Sequence, residues 1–74
     1  MNGPESPAAR ITVNGAARPL PAAGSLAAVL EEAGLAGRPV AVEVDGMVVA
    51  RNRFHERLLQ GGERIEIVTF VGGG

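Results

Sequence analysis

Apolar and polar residues alternate over several stretches of this chain, and over one stretch the spacing becomes helical. Ile11-Thr12-Val13 opens an alternating run that stops at Asn14-Gly15. Asn-Gly between two extended runs is a strong hairpin signal, because both turn positions need positive φ. The second arm runs from Ala16 to Leu20. Pro19 and Pro21 predict that it is an edge, since proline donates no hydrogen bond to a ladder. Leu26, Val29, Leu30 and Ala33 then recur at i, i+3, i+4 and i+7, one face of a helix. Ser25 supplies an N-cap hydroxyl and Gly34 suits the left-handed position past the helix end, so that Leu35 folds back over it.

Past the loop Gly37-Arg38-Pro39, Val40, Val42 and Val44 alternate with Ala41, Glu43 and Asp45, which predicts a half-buried strand. Asp45-Gly46 is a second tight-turn signal, and Met47 to Val49 is the return arm. Arg51 to Gln60 carries Phe54, Leu58 and Leu59 near helical spacing, predicting a short helical turn or an irregular crossing that Gly61-Gly62 ends. Arg64 to Val71 reads as the last strand, with Ile65, Ile67, Thr69 and Val71 on one face and Glu66, Val68 and Phe70 on the other. Two hairpins flanking one long helix, with a final strand, predict an α+β domain. The simplest closure puts the last strand in the middle of the sheet, parallel to the first. That is a ubiquitin-like β-grasp, a mixed sheet of four to five strands with one main helix on one face. The expected boundaries are a flexible extension at 1–9, the β-grasp domain at 10–71 and a flexible glycine tail at 72–74.

Composition narrows the chemistry. With 74 residues there is room for one domain and little spare core for a deep cleft. Only Phe54 and Phe70 are aromatic, so the core must be built from Val, Ile, Leu and Ala. A net charge of -1 argues against a nucleic-acid partner held by a broad basic face. There is no cysteine, hence no disulfide framework, thiolate metal site or thiol nucleophile. No apolar run is long enough to span a membrane and no signal peptide is visible, so a cytoplasmic location is the expectation. All seven basic residues are Arg. Codon bias is the ordinary reading of that choice. The other is that a carrier with an activated C-terminus gains from having no lysine amine to attack it.

The chemically loaded feature is Gly72-Gly73-Gly74 directly after a strong strand. Glycine has no Cβ, so such a tail passes through a channel too narrow for any side chain and presents a terminal carboxylate inside a partner. Adenylation makes that carboxylate an electrophile. Sulfur delivered from a persulfide then takes the place of AMP, and the thiocarboxylate that is finally released is a soft nucleophile on a protein handle. The ordinary reading of the same residues is a frayed end.

From about Arg10 to Gly74 the chain resembles the sulfur carriers of bacterial thiazole synthesis, the ThiS family. The resemblance rests on Ile11-Thr12-Val13-Asn14-Gly15, Ser25-Leu26-Ala27-Ala28-Val29-Leu30 and Val40 through Gly46. Its most specific stretches are Gly61-Gly62-Glu63-Arg64-Ile65-Glu66-Ile67-Val68 and Phe70-Val71-Gly72-Gly73-Gly74. It implies that Gly74 is adenylated and thiocarboxylated, that Gly73 is the flexible residue reaching the active site, and that ATP is consumed by the partner with no cofactor bound here. The implied partners are a ThiF-like adenylating enzyme, a cysteine desulfurase or other persulfide donor, and a ThiG-like thiazole synthase as recipient. The chain itself is then a protein substrate, not an enzyme. Two departures are visible. Val49-Ala50-Arg51 and Phe54 stand where members often have Val-Pro-Arg and then Trp, and residues 1–9 are extra.

Other residues are less loaded. His55 has only Glu56 and Arg57 beside it and reads as surface or rim, and no ligand set clusters for a metal. Arg51, Arg53 and Arg57 are either a solvated face or a dock for an acidic partner. Val68 and Phe70 are either core under the crossing segment or an apolar grip for the activating enzyme, and with Phe54 and Arg51 they make the candidate partner surface. Glu31, Glu32, Glu63, Arg64 and Glu66 read as solvated. Sulfur carriage for molybdopterin, cysteine or natural-product synthesis remains open, as does a β-grasp binding module with an inert tail.

Overall fold

The computed structural model describes residues 9–70. The tail Gly72–Gly74, Val71 and all but the last residue of the expected extension lie outside the described residues. The elements are strands β1 (Arg10–Val13) and β2 (Ala16–Pro19), helix α1 (Leu26–Glu32), strands β3 (Val40–Val44) and β4 (Met47–Val49), a single 3₁₀ turn (Arg51–Arg53) and strand β5 (Arg64–Thr69).

The five strands lie in the order β2-β1-β5-β3-β4. β5 is central. It is parallel to β1, with Val13 opposite Ile65, and antiparallel to β3, with Val42 opposite Ile67. The proline-bearing arm β2 is an outer strand, as proline requires. This is the α+β, β-grasp arrangement that the pattern predicts. Ala9 adds one rung, its carbonyl accepting the Leu20 N–H at 2.8 Å.

Both hairpin turns have positive φ at each central residue: Asn14 at 50° and Gly15 at 85°, Asp45 at 51° and Gly46 at 84°. Their first residues also do something that turn statistics do not suggest. The Asn14 carboxamide lies against the backbone of Ile67. Its Nδ2 donates to the Ile67 carbonyl at 3.1 Å and its Oδ1 accepts the Ile67 N–H at 2.7 Å. Asp45 does the equivalent from the other side, its Oδ1 accepting the Arg64 N–H at 2.8 Å while its own N–H donates to the Arg64 carbonyl at 2.8 Å. β5 is thus held by side chains where the β1 and β3 ladders run out. Asn14→Asp keeps a residue tolerant of positive φ but replaces the Nδ2 donor with an acceptor facing a carbonyl. We expect a loss of about 1 kcal/mol, read as a lowered urea midpoint. An unchanged midpoint would show that the clip contributes nothing.

Helix α1 is capped at both ends. The Ser25 hydroxyl accepts the Ala28 N–H at 3.1 Å. At the far end the Leu35 N–H reaches the Leu30 carbonyl at 2.8 Å and the Gly34 N–H reaches the Glu31 carbonyl at 3.0 Å, with Gly34 at φ 76°. That is the Schellman geometry, which needs a left-handed residue at this place.

Leu26, Val29 and Leu30 of the helix pack on Ile11, Val13, Val42, Val44, Ile65 and Ile67 of the sheet, with Phe54 and Leu59 completing the core. The segment 51–60 is the irregular crossing. The Arg57 carbonyl accepts the Leu26 N–H and the Phe54 carbonyl accepts the Ala27 N–H, which satisfies two of the helix's orphan donors. The Leu59 N–H in turn donates to the Gly24 carbonyl at 2.8 Å. These bonds set the segment's register. Leu59 is therefore buried and Leu58, expected at helical spacing with Phe54, is 63% exposed.

Candidate functional site

The strand that leads to the glycine tail ends at Thr69, and the Phe70 N–H still donates to the Pro39 carbonyl at 3.2 Å. The root of the tail is therefore fixed beside the loop that precedes β3. Val68 and Phe70 are both exposed, at 57% and 56%. The helix covers only the other face of the sheet, so Val68 and Phe70 are not core residues beneath the crossing segment. Val68 stands opposite Ala41 of β3, and two pairs further on, on the same face, Glu66 stands opposite Glu43, which has Val48 across from it on β4. The open face near the tail root thus carries a short apolar strip bordered by two carboxylates directly opposed, an arrangement that costs stability in the free domain. Val48, across from Glu43, extends the apolar exposure of this face to the outer strand.

The other two members of the candidate partner surface separate. Phe54 is a core residue, only 8% exposed, because the crossing segment needs an apolar anchor under the helix start. Phe54 is therefore not part of the partner surface. Arg51 is exposed, and its Nη2 donates to the Arg38 carbonyl at 3.4 Å. The basic stretch does not act as one patch. Arg53 pairs with Glu56 at 3.3 Å, both about two-thirds exposed, which contributes little. Arg57 pairs with Glu63 at 2.8 Å. Glu63 was expected to be solvated, yet it is half-buried. One oxygen holds the Arg57 guanidinium and the other accepts the Gln60 N–H at 2.9 Å, so it staples the loop before β5. The Arg57 guanidinium also donates to the Leu58 carbonyl. The sequence offered no sign of this role for Glu63, since the loop that surrounds it carries no periodic pattern.

His55 is exposed. Among the described residues, no group of three or more His, Cys, Asp or Glu could hold a metal ion, and no helix is long and apolar enough to cross a membrane. What the described residues offer is a rigid five-stranded base, an apolar strip at the end of its central strand, and a chain that continues from there into glycines.

The ThiS family model matches residues 11–74. A thiazole synthase of Paramagnetospirillum magneticum is 34% identical over 65 residues, which is 88% of this chain but 20% of that protein. The chain therefore spans about a fifth of the length of this relative. The crystal structure of the thiamine biosynthesis protein ThiS from Geobacter metallireducens superposes with a TM-score of 0.70 at 29% identity, covering 88% of this chain and 99% of that one.

Proposed function

The chain belongs to the ThiS family, and we propose that it is a sulfur carrier of thiamine biosynthesis whose working group is the carboxylate of Gly74. One observation carries this reading: the family match runs to residue 74, so the three glycines lie inside the family pattern. The exposed strip of Val68 and Phe70 at the end of the central strand supports it, because an enzyme drawing in the tail meets an apolar grip beside its root.

The Gly74 carboxylate attacks the α-phosphorus of ATP in an adenylating partner and pyrophosphate leaves. The terminal sulfur of a persulfide attacks the acyl carbon and AMP leaves, giving an acyl disulfide. A thiol then takes the other sulfur of that disulfide, and the thiocarboxylate is released. Both the persulfide and the thiol come from partners, since this chain has no cysteine. ATP is consumed there too. The chain acts as a substrate throughout. The match to a relative named thiazole synthase supports thiazole synthase as the recipient.

The destination of the sulfur is tested by reconstitution. Radiolabelled persulfide sulfur should enter the thiazole product when the full chain, an adenylating enzyme and thiazole synthase are present, and should not when Gly74 is deleted. Label that reaches Gly74 but never thiazole would move the carrier to another pathway.

A further inference from the structure

A groove of about 290 Å³ runs between the C-terminal end of α1, the start of β3 and the crossing segment. Its floor is apolar: Leu30, Leu35, Val40 and Phe54. Its rim carries the exposed cationic residues Arg38 and Arg51 together with His55, and Glu31 is its one acidic residue. Two observations bear on these arginines. Among the described residues, neither makes an ion pair, unlike Arg53 and Arg57 of the crossing segment, which are each engaged by a glutamate. They also stand at the root of the tail, because the Phe70 N–H is bonded to the carbonyl of Pro39, the residue after Arg38, and Arg51 holds the Arg38 carbonyl itself.

We propose that this groove seats an acidic segment of the partner protein that takes up the tail, with carboxylates over Arg38 and Arg51 and an apolar side chain on the floor. Charge complementarity requires an acidic occupant, and the open apolar floor distinguishes a peptide segment from a small anion. The position makes the contact a second anchor beside the tail root, on the opposite side of the sheet from Val68 and Phe70. Opposed charges there raise the encounter rate and fix the orientation in which the tail enters.

The inference rests on the carrier reading only for the existence of a partner, and its test is independent of sulfur chemistry. The isotope-labelled 74-residue chain is titrated by NMR with an amidated peptide in which leucine is flanked by aspartates on both sides. Amide shifts should cluster at residues 30–40 and 51–55. Arg38→Glu should weaken binding about tenfold, one unit of ΔG at 1.4 kcal/mol per decade, with the spectrum of a folded domain retained. Arg51→Glu should do the same. Because it also removes the bond to the Arg38 carbonyl, the Arg38 variant, whose side chain makes no hydrogen bond among those described, keeps the test clean. Shifts centred on Val68 and Phe70, no shifts, or equal shifts from acetate at matched carboxylate concentration would each overturn the proposal. A wild-type chain that binds the peptide but is never thiocarboxylated would overturn the carrier reading instead.

Discussion

Gly73→Val should leave the unfolding midpoint where it is and slow adenylation of the chain by about two orders of magnitude, the scale on which a misplacement of about 1 Å lowers a rate. The two halves of that expectation have separate causes. Stability is unaffected because the buried core ends at Ile67, and the last hydrogen bond described along the final strand is that of Phe70 to Pro39. Activation is affected because a β-branched side chain widens and stiffens the tail where only glycine passes without steric cost. Urea melts and initial rates of AMP incorporation measure the two halves. Adenylation at the wild-type rate would remove the narrow-channel account.

The largest effect on stability is expected at Ile65. Its side chain is fully buried, it sits on the central strand, and it stands opposite Val13 on one side and Val44 on the other. Ile65→Ala removes three carbons from a place that neighbouring strands on both sides prevent from collapsing. The cost is about 2–5 kcal/mol. A domain of this size has roughly 4–11 kcal/mol in total, so with a urea slope of about 1 kcal/mol/M the midpoint should fall by about 2 M or more. Phe70→Ala is the matched comparison. The ring is 56% exposed, so its removal should change stability by no more than about 0.5 kcal/mol. A large loss at Phe70 with a small one at Ile65 would invert the assignment of core and partner surface.

The parts of the fold that were legible in the sequence are those where one local rule suffices. Asn14-Gly15 and Asp45-Gly46 need positive φ, Ser25 and Gly34 bracket one helix, and the strand alternation marks Val42, Val44, Ile65 and Ile67 as inward. The rest depends on neighbours distant in sequence. Leu58 and Leu59 exchange roles because carbonyls of the crossing segment are bonded to the first turn of the helix, which fixes a spacing that is not helical. Glu63 is held by Arg57 and by the backbone of Gln60, so a charged loop residue becomes a staple. Asn14 and Asp45 look like turn formers and are also clips on the central strand. At the candidate site, the alternation put Val68 and Phe70 on one face, but whether anything covers that face is a question of layers that no strand pattern answers. Phe54 went the other way, from expected surface to core. Arg38 acquires meaning only when the tail root and Arg51 are seen beside it.

The central claim is that Gly74 carries sulfur, and intact mass spectrometry addresses it most directly. The chain is incubated with ATP, an adenylating enzyme of proven activity and a persulfide source, alongside a chain lacking Gly74. The account predicts a mass increase equal to the replacement of one oxygen by sulfur in the full chain and none in the truncated one. An unchanged mass in the full chain, or the same increase in both, would contradict it.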